Sequence, residues 1–157
     1  KEKLTNQFEN TYRCSPFFHD VFPIIKRILS YDDNNLFRYI LESIREICLY
    51  LKIDSSKIVI SSTIPIDHSL KSENKVIALC DKLNIDEYIN PIGGITLYNS
   101  THFLSRNINV RFLKAQNIKY KQFNNEFIPG LSIIDIMMFN SSDTIKDMLK
   151  MYTLLQQ

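Results

Sequence analysis

The sequence predicts an α/β fold in three layers: a short, mostly parallel sheet flanked by helices, with a pair of helices toward the C-terminus. Three apolar segments that favour strands, 57–60, 86–90 and 109–113, alternate with helical patterns. This alternation is typical of parallel sheets with right-handed crossovers. The 157 residues are enough for one domain with a buried core, so we expect a single domain over 1–157.

Three helices are predicted before the first strand. The first rests on apolar residues spaced by four: Leu4, Phe8 and Tyr12. Ser15 is a good cap and Pro16 suits a first turn, so a second helix is expected to start there and end near Ser30, with Pro23 kinking or restarting it. The third helix shows the clearest apolar stripe: Leu36, Ile40, Ile44, Ile47 and Leu51.

The middle of the chain supplies the predicted strands. Residues 57–60 form a β-branched run without alternation, which predicts a strand covered on both faces. A helix follows from about Ser72, and then the strand at 86–90. Asn99 or Ser100 can cap a short helix before the strand at 109–113.

The last part begins with a polar, irregular segment at 114–131. Ser132 is positioned to cap a helix over 133–139. Ser141 or Ser142 would cap a final helix, whose apolar face would be these residues: Ile145, Leu149 and Tyr152.

Composition excludes several classes of protein. The formal charge of +2 comes from 19 basic and 17 acidic residues, scattered along the chain, so we expect no nucleic-acid partner. No stretch is apolar enough to span a bilayer. Cys14, Cys48 and Cys80 are far apart in apolar helical patterns, which predicts free, buried thiols in a reducing compartment. The histidine spacings match no zinc motif, so we expect no metal and no cofactor.

The loops that follow two predicted strands are candidate ligand sites, because open parallel sheets bind ligands beyond the carboxyl ends of their strands. Ser61 and Ser62 offer hydroxyls after the first strand. Gly93 and Gly94 permit close backbone approach before a helix start that favours anions, with Tyr98 beyond them. The alternative for the two glycines is a plain tight turn.

Two charged residues lie at the start of the helix between these loops. Lys71 could meet an anion, and Glu73 could act as a base if burial raised its pKa. The alternative is a solvated helix start, at which Glu73 interacts with the helix dipole.

The C-terminal third carries a specific motif. It reads as Tyr120-Lys-Gln122-Phe, then a Phe-Ile-Pro-Gly-Leu-Ser-Ile-Ile-Asp run ending at Asp135, then Phe139-Asn140. This text closely resembles the signature of the WbqC-like family of bacterial proteins. Earlier parts fit as well, among them Tyr12 before Ser-Pro-Phe-Phe and a Tyr to Gly-Gly to Tyr stretch.

The resemblance has several implications. The family is associated with surface-polysaccharide clusters, including O-antigen synthesis, and with acyl or aminoacyl decoration of sugars. It implies a cytoplasmic bacterial protein. Members usually begin with a strand, a His-Gln-Pro-type motif and a Pro-Trp-x-Gly-Tyr run, none of which occurs here, so we expect an N-terminally incomplete chain.

The motif residues have two interpretations. Tyr120 and Gln122 alternate in an extended segment and could point into one pocket, orienting a sugar or acyl group. Asp135 stands three residues after Ser132, a spacing that favours a structural capping box over a catalytic pair.

Two functional hypotheses follow. In the first, the protein is a transferase that uses a nucleotide-activated sugar or an acyl or aminoacyl donor, with a small phosphorylated ligand and no membrane span. In the second, it is a non-catalytic binding or partner module, either a homo-oligomer or completed by another chain. Both place the loops at 61–65 and 91–98 on a shared rim, with the Tyr120–Gln122 segment folded over it.

Overall fold

The computed structural model of the protein describes residues 1–123 and 126–157, and it confirms the mixed α/β class. These residues form seven α-helices and a three-stranded sheet. In chain order the elements are α1 Glu2–Tyr12, α2 Phe18–Ser30, α3 Leu36–Tyr50, α4 Ser72–Leu83, β1 Glu87–Pro91, α5 Ser100–Leu104, β2 Asn109–Ala115, α6 Ile133–Phe139, α7 Ser142–Met148 and β3 Tyr152–Leu155.

The chain divides into two compact units, each built from two separate stretches. The helical unit comprises 1–57 and 117–150, and it contains α1, α2, α3, α6 and α7. The sheet unit comprises 58–116 and 151–157, and it contains α4, α5 and the three strands. We describe each unit by itself, and a single domain over 1–157 stays a prediction.

The core of the helical unit is built mainly on α2. Six residues of this helix are buried: Phe18, Val21, Phe22, Ile24, Ile25 and Leu29. They pack with Met137 and Met138 of α6 and with Ile145 of α7. The helix begins at Phe18, later than the cap at Ser15 predicts, and it continues through Pro23 without a break. Burying these apolar side chains is the main force that joins the helices.

Only part of the predicted stripe on α3 reaches this core. Asn35 caps the helix by accepting a hydrogen bond from the Arg38 N–H at 3.2 Å. Leu51, just after α3, is buried and the half-buried Ile47 packs against the core, but Leu36 is 71% exposed. The remaining stripe residues, Ile40 and Ile44, are also exposed. Periodicity identified the apolar face, and tertiary packing covers only its C-terminal end.

The sheet unit is organised around β2, which pairs with a neighbour on each side. It runs parallel to β1, with Glu87 opposite Asn109, and antiparallel to β3, with Phe112 opposite Leu155. Side chains from one face of the sheet pack with α4 and α5 in a core that contains these buried residues: Ile77, Cys80, Phe103, Ile108, Val110 and Phe112. Helix α5 is the connection between the two parallel strands, as the alternation predicted.

Two element predictions are wrong. Residues 57–60 form no strand and lead into a 3₁₀ turn at Ser61–Thr63, with Val59 59% exposed. The final helix ends at Met148, and Tyr152–Leu155 forms β3 instead. In both cases a distant partner decides, because a short apolar run becomes a strand only where another strand is available to pair with it. No helix within the described ranges is long and apolar enough to cross a membrane.

Candidate functional site

A buried carboxylate joins three distant parts of the helical unit. Asp135 is the third residue of α6 and is only 5% exposed. Its oxygens accept hydrogen bonds from the hydroxyl of Tyr12 at 2.9 Å, the hydroxyl of Tyr120 at 2.6 Å and the side-chain amide of Gln122 at 2.9 Å. We call these four side chains the Asp135 network. Burial of the carboxylate is offset by this number of donors, because a buried charge is costly unless it is hydrogen-bonded.

Gln122 also closes the loop that carries the motif. Its side-chain oxygen accepts from the Ile128 N–H at 2.8 Å, and its amide nitrogen donates to the Ile128 carbonyl at 3.1 Å. The buried side chain thus exchanges two hydrogen bonds with the backbone of Ile128, as a paired residue does in an antiparallel sheet. The loop is therefore fastened to α6 through Asp135 and to itself through Gln122.

The two tyrosine hydroxyls of the network have raised pKa values. Burial, together with the hydrogen bond to Asp135, raises the pKa of Tyr120 to about 12. The same causes raise the pKa of Tyr12 as well. Both hydroxyls therefore stay protonated near neutral pH and can donate to the Asp135 side chain.

The predicted capping box is only half present. Ser132 caps α6 by accepting from the Ile134 N–H at 3.2 Å. Within the described residues no hydrogen bond runs from the Ser132 N–H back to the Asp135 side chain, whose oxygens are bonded to the two tyrosines and the glutamine. The spacing predicted the Ser132 N–H as the partner of the Asp135 side chain. The structure shows Tyr12, Tyr120 and Gln122 as its partners instead.

A pocket of about 430 Å³ lies in the helical unit beside this network. Its lining residues are Cys14, Pro16, Lys121, Phe123 and Phe139. The rings of Phe123 and Phe139 meet edge to face at 4.7 Å between centroids. Phe139 also lies against Tyr12 and Tyr120, at 6.3 Å and 6.5 Å between centroids. We call this cavity the aromatic pocket.

A second carboxylate, in the sheet unit, has a more exposed setting. Glu73 lies in the first turn of α4, with its side chain 26% exposed. One oxygen lies 2.8 Å from His102 Nδ1, and the other accepts from the Asn99 N–H at 3.1 Å. The hydrogen bond with His102 is the main reason that the pKa of Glu73 is lowered. The condition for Glu73 to act as a base, a pKa raised by burial, is therefore not met, because hydrogen bonds favour the charged form more than burial disfavours it.

Packing explains one of the two adjacent glycines, Gly94. Both glycines belong to a 3₁₀ turn, Ile92–Gly94, directly after β1. A Cβ on Gly94 would lie 1.9 Å from the side-chain nitrogen of Asn90, whereas a Cβ on Gly93 would meet nothing within 4 Å. Tyr98 packs edge to face on Tyr88 and Phe103, at 5.8 Å and 5.7 Å between centroids. Gly94 and Tyr98 thus have a structural role in the sheet unit, which leaves a ligand role as a prediction.

The other predicted residues are at the surface. Ser61 and Ser62 lie exposed in the 3₁₀ turn, and Lys71 is exposed immediately before α4. Asn99 caps α5 by accepting from the Thr101 N–H at 3.0 Å. The Glu73 carboxylate already occupies the Asn99 N–H, so the start of α5 is less available to an anion than predicted.

The candidate residues fall into two groups. The structure brings Tyr120, Gln122 and Asp135 together in the helical unit, and the remaining seven candidates belong to the sheet unit. The shared rim therefore stays a prediction. Sequence reasoning missed the roles of Tyr12, Lys121 and His102. For Tyr12 a signal existed, since it was part of the family resemblance.

The three cysteines differ in their exposure to solvent. Cys14 is exposed, Cys48 is half-buried and Cys80 is buried, so the prediction of three buried thiols is right only for Cys80. All three are free. Among the described residues no group of three or more His, Cys, Asp or Glu side chains could hold a metal ion.

These features define an α/β protein with an aromatic pocket beside a buried carboxylate network. The family model of the WbqC-like protein family matches residues 1–147, and the chain belongs to this family. Searches of curated proteins and of solved structures found no match. The family indicates a role related to polysaccharide biosynthesis.

Proposed function

We propose that the protein is a transferase in bacterial surface-polysaccharide biosynthesis and that the aromatic pocket binds its donor, a nucleotide-activated sugar or an acyl or aminoacyl nucleotide. The supporting observation is that the pocket adjoins the Asp135 network, which is formed by the motif residues Tyr120, Gln122 and Asp135 together with Tyr12. Because these motif residues are the most specific part of the family resemblance, we expect the functional site to lie beside them.

The lining suits such a donor. Its volume, about 430 Å³, is in the range of about 300–1,000 Å³ that is typical of small-molecule sites. Phe123 and Phe139 offer ring surfaces to a base or to the apolar face of a sugar. Lys121, the cation in this lining, is placed to pair with a phosphate. Aromatic surface next to one ammonium group favours a ligand that is flat at one end and anionic at the other.

In this proposal the Asp135 network supplies preorganisation. Gln122, directly before Phe123, is held by its bonds to Asp135 and Ile128, while Tyr120 and Tyr12 lie against the ring of Phe139. A pocket whose walls are held in advance loses less conformational freedom on binding. Lys71 as an anion partner, Glu73 as a base, and Gly93 and Gly94 as a phosphate loop belong to the sheet unit, so they stay separate predictions and are not part of the aromatic pocket.

One observation favours the alternative, a non-catalytic binding module. The described residues that line the aromatic pocket include no histidine and no carboxylate, which are the most usual general bases. Both hypotheses share the binding step, and they differ in whether a bound donor is consumed.

Protection of a thiol tests the binding step. Cys14 lines the pocket and is exposed, whereas Cys80 is buried, so alkylation by N-ethylmaleimide followed by peptide mass spectrometry reads occupancy at Cys14. We expect UDP-sugars or aminoacyl-adenylate analogues to slow labelling of Cys14 in a saturable manner. No protection by any of these donors would contradict the proposal.

A matched pair of variants tests the anion partner. Lys121→Met should weaken donor binding about tenfold, because a charge-assisted hydrogen bond is lost. Lys119→Met removes the same charge from an exposed residue of the same segment that is not part of the lining, and it should leave affinity unchanged. Mass spectrometry of a mixture of donor and polysaccharide acceptor then separates the hypotheses: a modified acceptor supports the transferase, and binding without turnover supports the module.

A further inference from the structure

A second pocket lies in the sheet unit, on the side of α4 that faces α5. It has a volume of about 270 Å³. Its apolar wall is formed by Leu70, Ile77 and Ala78, and its polar side by Asn74, Asp81, His102 and Arg106. We call it the α4–α5 pocket. Its volume is just below the roughly 300–1,000 Å³ of sites that hold drug-sized ligands, so a smaller molecule fits it better.

The basic groups of this pocket are already balanced by acids. Arg106 Nη2 donates to Asp81 Oδ2 at 2.7 Å, and His102 Nδ1 lies 2.8 Å from Glu73 Oε1. A phosphate or carboxylate would therefore meet two carboxylates together with the two basic groups. The pairing favours a ligand without net charge.

The same pairs leave donors and acceptors for a ligand. The Arg106–Asp81 hydrogen bond uses one of the five guanidinium N–H groups and one of the two carboxylate oxygens. In the neutral form of the His102 ring, the Glu73 carboxylate accepts from the Nδ1 proton, and Nε2 can then accept from a ligand. Asn74 adds one amide with both functions.

We propose that the α4–α5 pocket binds a neutral polyhydroxylated ligand of monosaccharide size, with His102 oriented by Glu73 as an acceptor for one hydroxyl. A hydroxyl group both donates and accepts, which matches alternating donors and acceptors. Arg106 and Asn74 donate to ring oxygens or hydroxyls, while Asp81 accepts. The apolar wall faces the C–H groups of the ring. This site is separate from the aromatic pocket and goes beyond the proposed function.

Histidine NMR of the whole chain tests the proposal directly. The probes are glucose, galactose, N-acetylglucosamine and, as a charged comparison, inorganic phosphate. We expect at least one sugar to shift the imidazole resonances of His102 in a saturable manner, with those of His19 and His68 unmoved. Lack of response to all three sugars, a response confined to other residues, or an equal or larger response of His102 to phosphate would overturn it.

Variants then test the individual contacts. Asn74→Ala, at an exposed position, and Arg106→Met should each weaken sugar binding about tenfold. Lys82→Ala, on the same helix but not part of the lining, is the control and should keep the affinity of the original protein. A thermal unfolding scan identifies a variant that fails to fold, and Asn74→Ala remains informative in that case. Unchanged affinity in Asn74→Ala and in a folded Arg106→Met would refute the site. Cys14 labelling reads the aromatic pocket independently, so failure of either proposal is recognised separately.

Discussion

The helical unit and the sheet unit each place a carboxylate in the first turn of a helix, and they treat it in opposite ways. Asp135 is 5% exposed and is held by three uncharged donors from two parts of the chain, Tyr12 and the Tyr120–Gln122 segment. Glu73 has a side chain that is 26% exposed and pairs with His102 and a backbone N–H. Asp135 is therefore a buried structural group, whereas Glu73 belongs to a partly exposed hydrogen-bonded pair.

The difference shows which property of a carboxylate matters for stability. A buried group that loses a partner leaves other polar atoms without hydrogen bonds, and this costs more than the bond itself contributes. A hydrogen-bonded pair in contact with solvent is replaced by water at little cost. We therefore expect substitutions in the Asp135 network to be much more damaging than substitutions at Glu73.

The largest effect should follow removal of the central carboxylate. Asp135→Ala leaves the half-buried hydroxyls of Tyr12 and Tyr120 without their acceptor and removes one acceptor of the Gln122 amide, so we expect the free energy of unfolding to fall by about 3 kcal/mol. Urea denaturation measures it. Asp147→Ala, which removes an exposed carboxylate paired with Lys150 on α7, is the control and should change stability little. Equal losses of stability in the two variants would contradict the expected difference between a buried and an exposed carboxylate.

Removing one donor should have a smaller effect that depends on pH. Tyr120→Phe should cost about 1 kcal/mol near neutral pH, because one hydrogen bond to Asp135 is lost. The pKa of Tyr120 is about 12 in the folded protein against its ordinary 10.0. The unfolded chain releases this proton first, so its contribution is complete below pH 10.0 and is lost as pH rises toward 12.

Urea titrations just below pH 10 and close to pH 12 read this alkaline loss. It should be smaller in Tyr120→Phe than in the original protein, and smaller still when Tyr12→Phe is added, since the pKa of Tyr12 is raised as well. An alkaline loss that is identical in all three proteins would show that the network does not hold these protons.

The glycine pair sharpens the comparison within the sheet unit. Gly94→Ala places a Cβ where the side-chain nitrogen of Asn90 now lies, so Asn90 must move and we expect a loss of about 1 kcal/mol. Gly93→Ala meets open space and is the matched control, with an unchanged or slightly higher unfolding temperature. A larger loss for Gly93→Ala would contradict the packing explanation.

The smallest effect is expected at Glu73. Its pKa is lowered in the folded protein, so its contribution to stability is present above the ordinary value of 4.5 and is lost as pH falls through the lowered pKa. Glu73→Gln should therefore unfold at nearly the original temperature near neutral pH and show less loss on acidification. Glu9→Gln, at an exposed glutamate on α1, should keep the original acid response. A Glu73→Gln loss as large as that of Asp135→Ala would remove the distinction between the two carboxylates.

Local chemistry made much of the fold predictable. Asn99, Ser132 and Ser141 cap helices as their sequence positions indicate, because a cap depends only on the next few residues. The segments at 86–90 and 109–113 correspond to β1 and β2, joined by a short helix. These two strands pair with each other and are close together in sequence, so local patterns are enough to predict them.

Long-range pairing explains most of what the sequence did not predict. Tyr152–Leu155 becomes a strand because β2 is there to pair with it, and residues 57–60 remain irregular without such a partner. Similarly, the spacing of Ser132 and Asp135 pointed to a local capping box, whereas the carboxylate meets Tyr12 from the far end of the chain. Contacts of this kind leave no periodic signal.

The order of assembly during translation follows from the position of β3. Strand β2 is synthesised before Tyr152–Leu155, so one side of β2 has no strand to pair with until β3 has been made. The helical unit waits too, because its second stretch is made only after the first stretch of the sheet unit. Each unit therefore closes only when its second stretch has been made, and a chain released after Ala115 would expose the unpaired side of β2 and be suited to chaperone binding.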